Sequence, residues 1–152
     1  MGLTELDREL LDLAIVEAET GLAAGGIPIG AVLAEGATVL GSGHNQRVQL
    51  GSAIRHGETD ALEKAGRLPA TTYARSTMYT TLSPCSMCTG AILLYGIPRV
   101  VIGENTTFMG SEDLLRSHGV EVVIADSARC IDLMENFIAD RPDLWNEDIG
   151  EP

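Results

Sequence analysis

The chain has 152 residues, of which 45% are hydrophobic and only 4% aromatic, as expected of one compact domain. Its formal net charge is −12 and its ten Lys and Arg residues are scattered, so it lacks the basic surface that nucleic-acid binding requires. No apolar run approaches the roughly 20 residues of a membrane span, and the acidic N-terminal segment does not resemble a secretory signal. We therefore expect a single soluble, cytoplasmic domain over residues 1–152 that binds neither nucleic acid nor membrane.

The predicted elements alternate between helices and short apolar strands. Thr4 can cap a first helix, whose apolar residues recur at near-helical spacing until Gly25-Gly26 ends it. Segments 27–33 and 38–43 are predicted to form an antiparallel hairpin around the turn at Glu35-Gly36. Further along, the pattern predicts helices over 56–65, 84–95 and 128–138, and strands over 77–81, 99–102 and 120–124. This order indicates an α/β fold in which helices cover both faces of a mixed five-stranded sheet.

Two cysteines and a histidine have the residue types and spacing of a metal site. Cys85 and Cys88 stand at the start of a predicted helix whose first residue is Pro84, so their thiols share one face and can close on a single ion. His56 is the obvious third ligand. Zinc binds sulfur and imidazole nitrogen tetrahedrally, and three protein ligands leave the fourth position for water, as in catalytic sites. Glu58, two residues after His56, is suited to hold and pass a proton of that water.

A Cys-x-x-Cys pair by itself is also compatible with a redox centre or with half of a structural zinc site. The third thiol, Cys130, distinguishes a structural from a catalytic metal, because a fourth protein ligand would close the zinc to water. Cys130 opens a predicted C-terminal helix, and we expect it to be a buried free thiol that packs as a small hydrophobe. Two cysteines committed to a metal also fit a reducing compartment.

The segments His56-Gly57-Glu58 and Pro84-Cys85-Ser86-Met87-Cys88 match the H-x-E and P-C-x-x-C signature of the zinc-dependent base deaminases. A closer resemblance runs nearly end to end and is carried by residues 26–30, 43–45, 79–85, 87–92, 95–99, 103–105 and 147–151. On these residues the chain resembles the fungal-type cytosine deaminases of the cytidine deaminase superfamily. The resemblance implies a three-layer α/β/α sandwich, a homodimer, one catalytic Zn²⁺ per subunit, and hydrolysis of free cytosine to uracil and ammonia in pyrimidine salvage.

The resemblance also assigns two polar residues to the substrate. Asn45 matches the amide that binds the polar edge of the pyrimidine, a task that suits a group with donor and acceptor side by side. Asp148 matches the carboxylate that meets the amino group of the base. The alternatives are that Asn45 only shapes the turn after Gly43 and that Asp148 belongs to an exposed acidic tail.

Two aromatic residues, Phe108 and Trp145, match family residues that cover the base, where flat rings stack on a planar substrate and exclude water. Either ring could instead be ordinary core. Ile29, Gly57 and Ser83 are expected to contribute backbone groups, so that the identities of their side chains matter little.

Two segments depart from the fungal pattern. Residues 59–61, Thr-Asp-Ala, replace a more apolar, hydroxyl-bearing run, and residues 109–112 after Phe108 are altered and shorter. Asp60 either faces inward, to meet an additional ring nitrogen or amine, or acts as a favourable partner of the helix dipole.

These departures leave the choice of base open. The leading prediction is free cytosine, and the alternatives within the same chemistry are isocytosine, guanine, creatinine or a triazine. The acidic surface argues against the editing of tRNA adenosine. From a different class, the alternative is a non-enzymatic domain that zinc stabilises.

Overall fold

The computed structural model describes residues 2–152 and is built around one sheet. Its strands are β1 (Gly30–Glu35), β2 (Thr38–His44), β3 (Ser76–Leu82), β4 (Arg99–Glu104) and β5 (Glu121–Ile124), in the order β2-β1-β3-β4-β5. β1 pairs antiparallel with β2 and β3, whereas the β3–β4 and β4–β5 pairs are parallel. The predicted mixed five-stranded sheet is therefore confirmed.

The helices cover both faces of this sheet. They are α1 (Glu5–Ala23), α2 (Arg47–Leu50), α3 (Gly57–Ala65), α4 (Ala70–Tyr73), α5 (Ser86–Leu94), α6 (Glu112–Ser117), α7 (Ala128–Asp140) and α8 (Pro142–Asp148). On one face, α1 and α7 share a core cluster with Val32, Tyr79 and Val101. On the other, side chains of α3, α5 and α6 pack with Leu33 and Val100. The α/β/α sandwich is thus confirmed, and within residues 2–152 no helix combines the length and apolar character needed to cross a membrane.

The first strand begins three residues later than the pattern predicts. Pro28 has no N–H to donate to a ladder, and the Ile29 N–H donates within a tight turn to the Ile27 carbonyl at 2.8 Å. Gly30 then opens β1 directly beneath α1, where a Cβ would lie 2.0 Å from the Ala14 carbonyl oxygen. The chain therefore uses 27–29 as an irregular segment beside the sheet.

The helix around the Cys-x-x-Cys pair also begins later than predicted. The Pro84 carbonyl accepts a hydrogen bond from the Ser111 N–H at 3.0 Å, and Cys85 becomes the N-cap of α5. Helices α2, α4, α6 and α8, of four to seven residues each, are not predicted from the sequence. A segment that short offers too few turns for its apolar period to be recognised.

Candidate active site

The N-termini of α3 and α5 bring the three predicted metal ligands together. His56 is the N-cap of α3 and Cys85 that of α5, and neither side chain caps its own helix. From His56 Nδ1, the sulfur of Cys85 is 3.4 Å away and that of Cys88 is 3.7 Å away. The three donor atoms lie within 4.8 Å of one another. Two sulfur donors and one imidazole at this separation fit tetrahedral zinc with one position left for a non-protein ligand.

The local backbone explains why these side chains are free to bind a metal. Both N-cap residues have extended backbone, with ψ of 171° at His56 and 177° at Cys85. The two helices direct their positive dipole ends at the same place, which favours thiolate there. Gly57 is buried behind His56, and a Cβ at this position would approach the Ile29 carbonyl oxygen to 3.1 Å. Glycine thus lets α3 start close to the 27–29 segment.

The ligand side chains perturb one another strongly. The hydrogen bond from Cys88 lowers the pKa of Cys85 to about 4 against the opposing effect of burial, and His56 lowers it further. The same bond, together with burial, raises the pKa of Cys88. Burial alone would lower the pKa of His56, but Cys85 and the charges of Asp148 and Glu58 raise it to about 9. A cation bound by the three donors would favour loss of the remaining protons, as metal ligands require.

Glu58 lies in the first turn of α3 and is almost completely buried, with 3% of its surface exposed. Burial and the negative charge of Cys85 raise the pKa of its carboxyl to about 7. A carboxyl group with a pKa near neutrality can both accept and return a proton at physiological pH. The structure thus places at this position a side chain able to perform the proton transfer that the sequence predicts.

The C-terminal helix α8 brings Asp148 to the metal ligands. Its side chain is 2% exposed, so it does not belong to an exposed tail. Asp148 Oδ1 accepts a hydrogen bond from Asn45 Nδ2 at 3.0 Å and lies 3.6 Å from His56 Nε2. A carboxylate in contact with the second nitrogen of a ligating imidazole orients the ring and fixes its tautomer. Asn45 is fully buried and also shapes the local turn, since its Oδ1 accepts from the Arg47 N–H at 3.0 Å.

A small cavity lies beside the metal ligands. Phe108 and Trp145 cover it, with their rings edge to face and 5.6 Å between centroids. Eight predicted site residues line the cavity, namely Ile29, His56, Glu58, Ser83, Cys85, Phe108, Trp145 and Asp148. Asn45, Gly57 and Cys88 are buried but do not line the cavity wall. Leu82 and Ile149, two lining residues that the sequence analysis missed, directly adjoin the predicted Ser83 and Asp148.

Ser83 participates through its side chain as well as its backbone. Its hydroxyl donates to Glu112 Oε2 at 2.6 Å and accepts from the Gly110 N–H at 2.9 Å. Glu112, in the first turn of α6, is 2% exposed and also accepts from Asn105 Nδ2 at 3.3 Å. This network fixes both ends of the loop that carries Phe108. Gly110 and Glu112 of this network belong to the altered segment 109–112, but the sequence does not indicate that they bind the Ser83 side chain.

Asp60 does not face the cavity. Its carboxylate is fully buried and accepts from Arg55, Lys64, the Gln46 amide and the His44 N–H. It therefore anchors α3 to the segment that carries Asn45, a role that neither sequence-based alternative anticipated.

Cys130 lies in the core cluster shared by α1 and α7, away from the metal ligands, and is 1% exposed. Burial raises the pKa of its thiol to about 11. The prediction of a buried free thiol is confirmed, and the metal cluster consists of His56, Cys85 and Cys88.

Three sulfur and nitrogen donors with a free fourth position, beside a buried carboxyl group that titrates near neutrality, define a hydrolytic centre of the zinc-dependent class. Residues 4–104 match the model of the cytidine and deoxycytidylate deaminase zinc-binding region. The chain belongs to this deaminase family. The resemblance inferred from the motifs is confirmed as well. Cytosine deaminase from Candida albicans is 58% identical over 146 residues, which cover 95% of this chain and 97% of the relative.

More distant relatives share the fold. The tRNA-specific adenosine deaminase of Streptococcus pyogenes is 35% identical over 82% of this chain and 84% of the relative. A solved structure from work on A-to-I editing by transfer-RNA deaminases superposes with a TM-score of 0.72 and 26% identity, covering 83% of this chain and 99% of the other. Guanine deaminase from Nitrosomonas europaea gives a TM-score of 0.67 at 21% identity, covering 86% and 83%. The last likeness shows the fold alone.

Proposed function

We propose that the protein hydrolyses free cytosine to uracil and ammonia. The observation that carries this proposal is the convergence of His56, Cys85, Glu58 and Asp148 on one small cavity under two aromatic rings, with Cys88 and Asn45 buried behind its wall. The small size of this cavity favours a single-ring base. The high identity to the Candida albicans enzyme supports the same substrate.

His56, Cys85 and Cys88 would hold a zinc ion, which supplies an activated water for attack on the ring carbon that carries the exocyclic amine. Glu58 accepts a proton from that water on its carboxylate and delivers it to the adjacent ring nitrogen. A second transfer through Glu58 protonates the amine, which leaves as ammonia while the carbon–oxygen bond becomes the new carbonyl. One water is consumed, and no other reactant is needed.

Asp148 accepts a hydrogen bond from the amine of the base, and its burial keeps this contact free of competing water. Asn45 lies behind the cavity wall, where it uses one amide hydrogen on Asp148 and its oxygen on the Arg47 N–H; its second amide hydrogen is the group we propose for the ring edge of a bound base. Phe108 and Trp145 stack over the ring and exclude water. Ile29 and Ser83 complete the walls, and Gly57 lies behind them, where it lets α3 start close to Ile29.

The net charge of −12 and a cavity covered by two aromatic rings disfavour a polynucleotide substrate, even though tRNA-specific relatives share the family. The surface carries too few cations to replace the counterions of a phosphate backbone. An extruded base also needs an open approach, and the two covering rings restrict that approach here.

We further propose that residues 1–152 act as one domain in a cytoplasmic homodimer that serves pyrimidine salvage. Exposed apolar side chains support self-association: Ile54 is 61% exposed and Leu94 75%, and both line a groove with Tyr95. Three cysteines free of disulfides suit a reducing compartment. Light scattering at micromolar concentration measures the mass, and a value of one chain would refute the dimer.

The decisive experiment is ammonia release by the zinc-loaded protein from cytosine, isocytosine, guanine, adenine, creatinine and cytidine, measured alongside two matched variants. Glu58→Gln should lower kcat on cytosine by at least about 100-fold while zinc stoichiometry stays at one per chain. Glu63→Gln, at an exposed position of the same helix, should leave kcat unchanged. Efficient ammonia release from another base, with little release from cytosine, would show that the substrate is that base. Ammonia release from none of the bases would favour a zinc-stabilised domain without enzymatic activity.

A further inference from the structure

Arg47, the first residue of α2, joins the Asn45 segment to the C-terminal helix. Its guanidinium donates through Nε to the Ala53 carbonyl at 2.9 Å. Through its two terminal nitrogens it contacts Glu147 Oε2 at 2.6 Å and Asp148 Oδ1 at 3.4 Å. The Arg47 side chain is 13% exposed and that of Asp148 2%, so their contact is shielded from water, whereas Glu147 is 60% exposed. One planar cation thus holds three acceptors from two separate segments, a task for which the fork of arginine is suited.

These contacts reach the part of the molecule that covers the cavity. Helix α8 contributes Trp145 and Asp148 to the cavity lining, and Ile149 follows it directly. The polar contacts between α8 and residues 45–56 involve Asp148 or Glu147, and Arg47 makes two of them. The guanidinium also contacts the C-terminal turn of α8, where the helix dipole stabilises a positive charge.

The contacts of Asp148 further constrain which of its oxygens a ligand can use. Asn45, Arg47 and His56 all meet the carboxylate at Oδ1. Oδ1 therefore carries these protein contacts, the shortest being the Asn45 hydrogen bond at 3.0 Å, and Oδ2 is the oxygen left for a ligand in the cavity that Asp148 lines. An arginine on Oδ1 fixes the rotation of the carboxylate about its bond to Cβ.

We propose that Arg47 is a positioning residue: it latches α8 over the cavity and turns Asp148 so that Oδ2 meets the exocyclic amine of the base. This inference rests on the proposed function for the identity of the ligand. Because Trp145 and Asp148 of α8 line the cavity, outward movement of α8 would widen the opening for a base, and that movement breaks the contacts of Arg47 with Glu147 and Asp148. Loss of the latch therefore weakens base binding, while proton transfer at Glu58 stays intact.

The test compares Arg47→Met, Arg47→Lys and Glu147→Gln with Arg141→Met as a matched control. Arg141 is the N-cap of the same helix but forms its ion pair with the exposed Asp143 and not with a residue of the cavity. For Arg47→Met we expect a KM for cytosine about tenfold higher, with kcat within threefold and zinc content unchanged. Arg47→Lys keeps the charge without the fork and should recover part of the loss. Glu147 is itself 60% exposed, so Glu147→Gln removes half of the latch with little risk to folding and should raise KM about threefold.

A second measurement does not depend on turnover. Trp145 is the only tryptophan of the chain and lies on α8, so quenching of its fluorescence by acrylamide reports how well α8 covers the cavity. Quenching and amide hydrogen exchange of α8 should both increase in Arg47→Met and stay unchanged in Arg141→Met. If the native protein releases ammonia from no base, the proposed function fails while this measurement still tests the latch. Unchanged quenching and KM in Arg47→Met, or a parallel loss of zinc, would overturn the inference.

Discussion

Asp60→Asn is expected to destabilise the protein by about 2–4 kcal/mol, because it removes the charge from a fully buried carboxylate. Asp60 holds Arg55 at 2.8 Å and Lys64 at 3.1 Å, and charge-assisted contacts of this kind contribute about 1.5–3 kcal/mol each. Arg55 and Lys64 are 28% and 43% exposed, so both cations regain water in the variant and the net cost is smaller than the sum. In addition, the NH₂ group of the new asparagine faces groups that donate hydrogen bonds to Asp60 in the native protein, so it finds no acceptor there.

Thermal and urea unfolding of the zinc-loaded protein measure this loss, which corresponds to a decrease in Tm of roughly 10 °C for a chain of this size. The pH dependence gives an independent check. Burial alone would raise the pKa of Asp60, but the donors around it lower the pKa overall. Its contribution is therefore complete above the ordinary aspartate pKa of about 3.9 and is lost as pH falls through the lower folded value. The difference in the free energy of unfolding between the native protein and Asp60→Asn should be constant from about pH 5 to about pH 8 and should become smaller in acid.

Asp113→Asn is the matched control, because Asp113 also lies in the first turn of a helix but its side chain is fully exposed. We expect it to change the free energy of unfolding by less than about 0.5 kcal/mol. Equal losses in the two variants would show that Asp60 acts only through the helix dipole. The reasoning from its buried contacts would then be refuted.

Three further predictions concern the fold and the thiols. Asp7→Asn should lower the free energy of unfolding in urea by about 3 kcal/mol near pH 7, because Asp7 is 1% exposed and paired bidentately with Arg99. Arg99 holds the pKa of Asp7 well below its usual range, so the loss should diminish as pH falls below about 4. A loss that does not change with pH would contradict this reasoning. Gly30→Ala should lower Tm by several degrees, since its Cβ would meet the backbone of α1 at 2.0 Å, and an unchanged Tm would refute that close approach. Chelation of zinc should make Cys85 react with a thiol reagent at pH 7, whereas Cys130 should react only after unfolding, and early labelling of Cys130 would contradict its burial.

The metal ligands and the sheet were predictable because their signals are local and specific to residue type. Few side chains bind zinc, so the spacing of Cys85 and Cys88 with His56 left little choice of ligands. Glu58 followed from its distance to His56. The strands followed from short runs of β-branched residues between helices, and these runs become the buried β4 and the partly buried β5.

Contacts between distant segments could not be predicted. Arg47 and Asp148 are 101 residues apart, and Ser83 and Glu112 are 29 apart. Each is an ordinary polar residue whose sequence neighbours do not reveal that it is buried. The role of Asp60 was not predicted for the same reason. An acidic residue in the first turn of a helix looks identical in sequence whether its side chain faces water or four buried donors.

The family match over residues 4–104 contains all three metal ligands and Glu58, whereas Phe108, Trp145 and Asp148 come from residues beyond it. The residues of the metal centre and the residues that cover the cavity thus come from consecutive parts of the sequence, although they meet at one cavity in the fold. Exchange of the segment after residue 104 would replace this cover together with β5, α6 and α7, while all three metal ligands and Glu58 stay in place. Residue 104 is therefore a practical crossover point for building chimeras within the family.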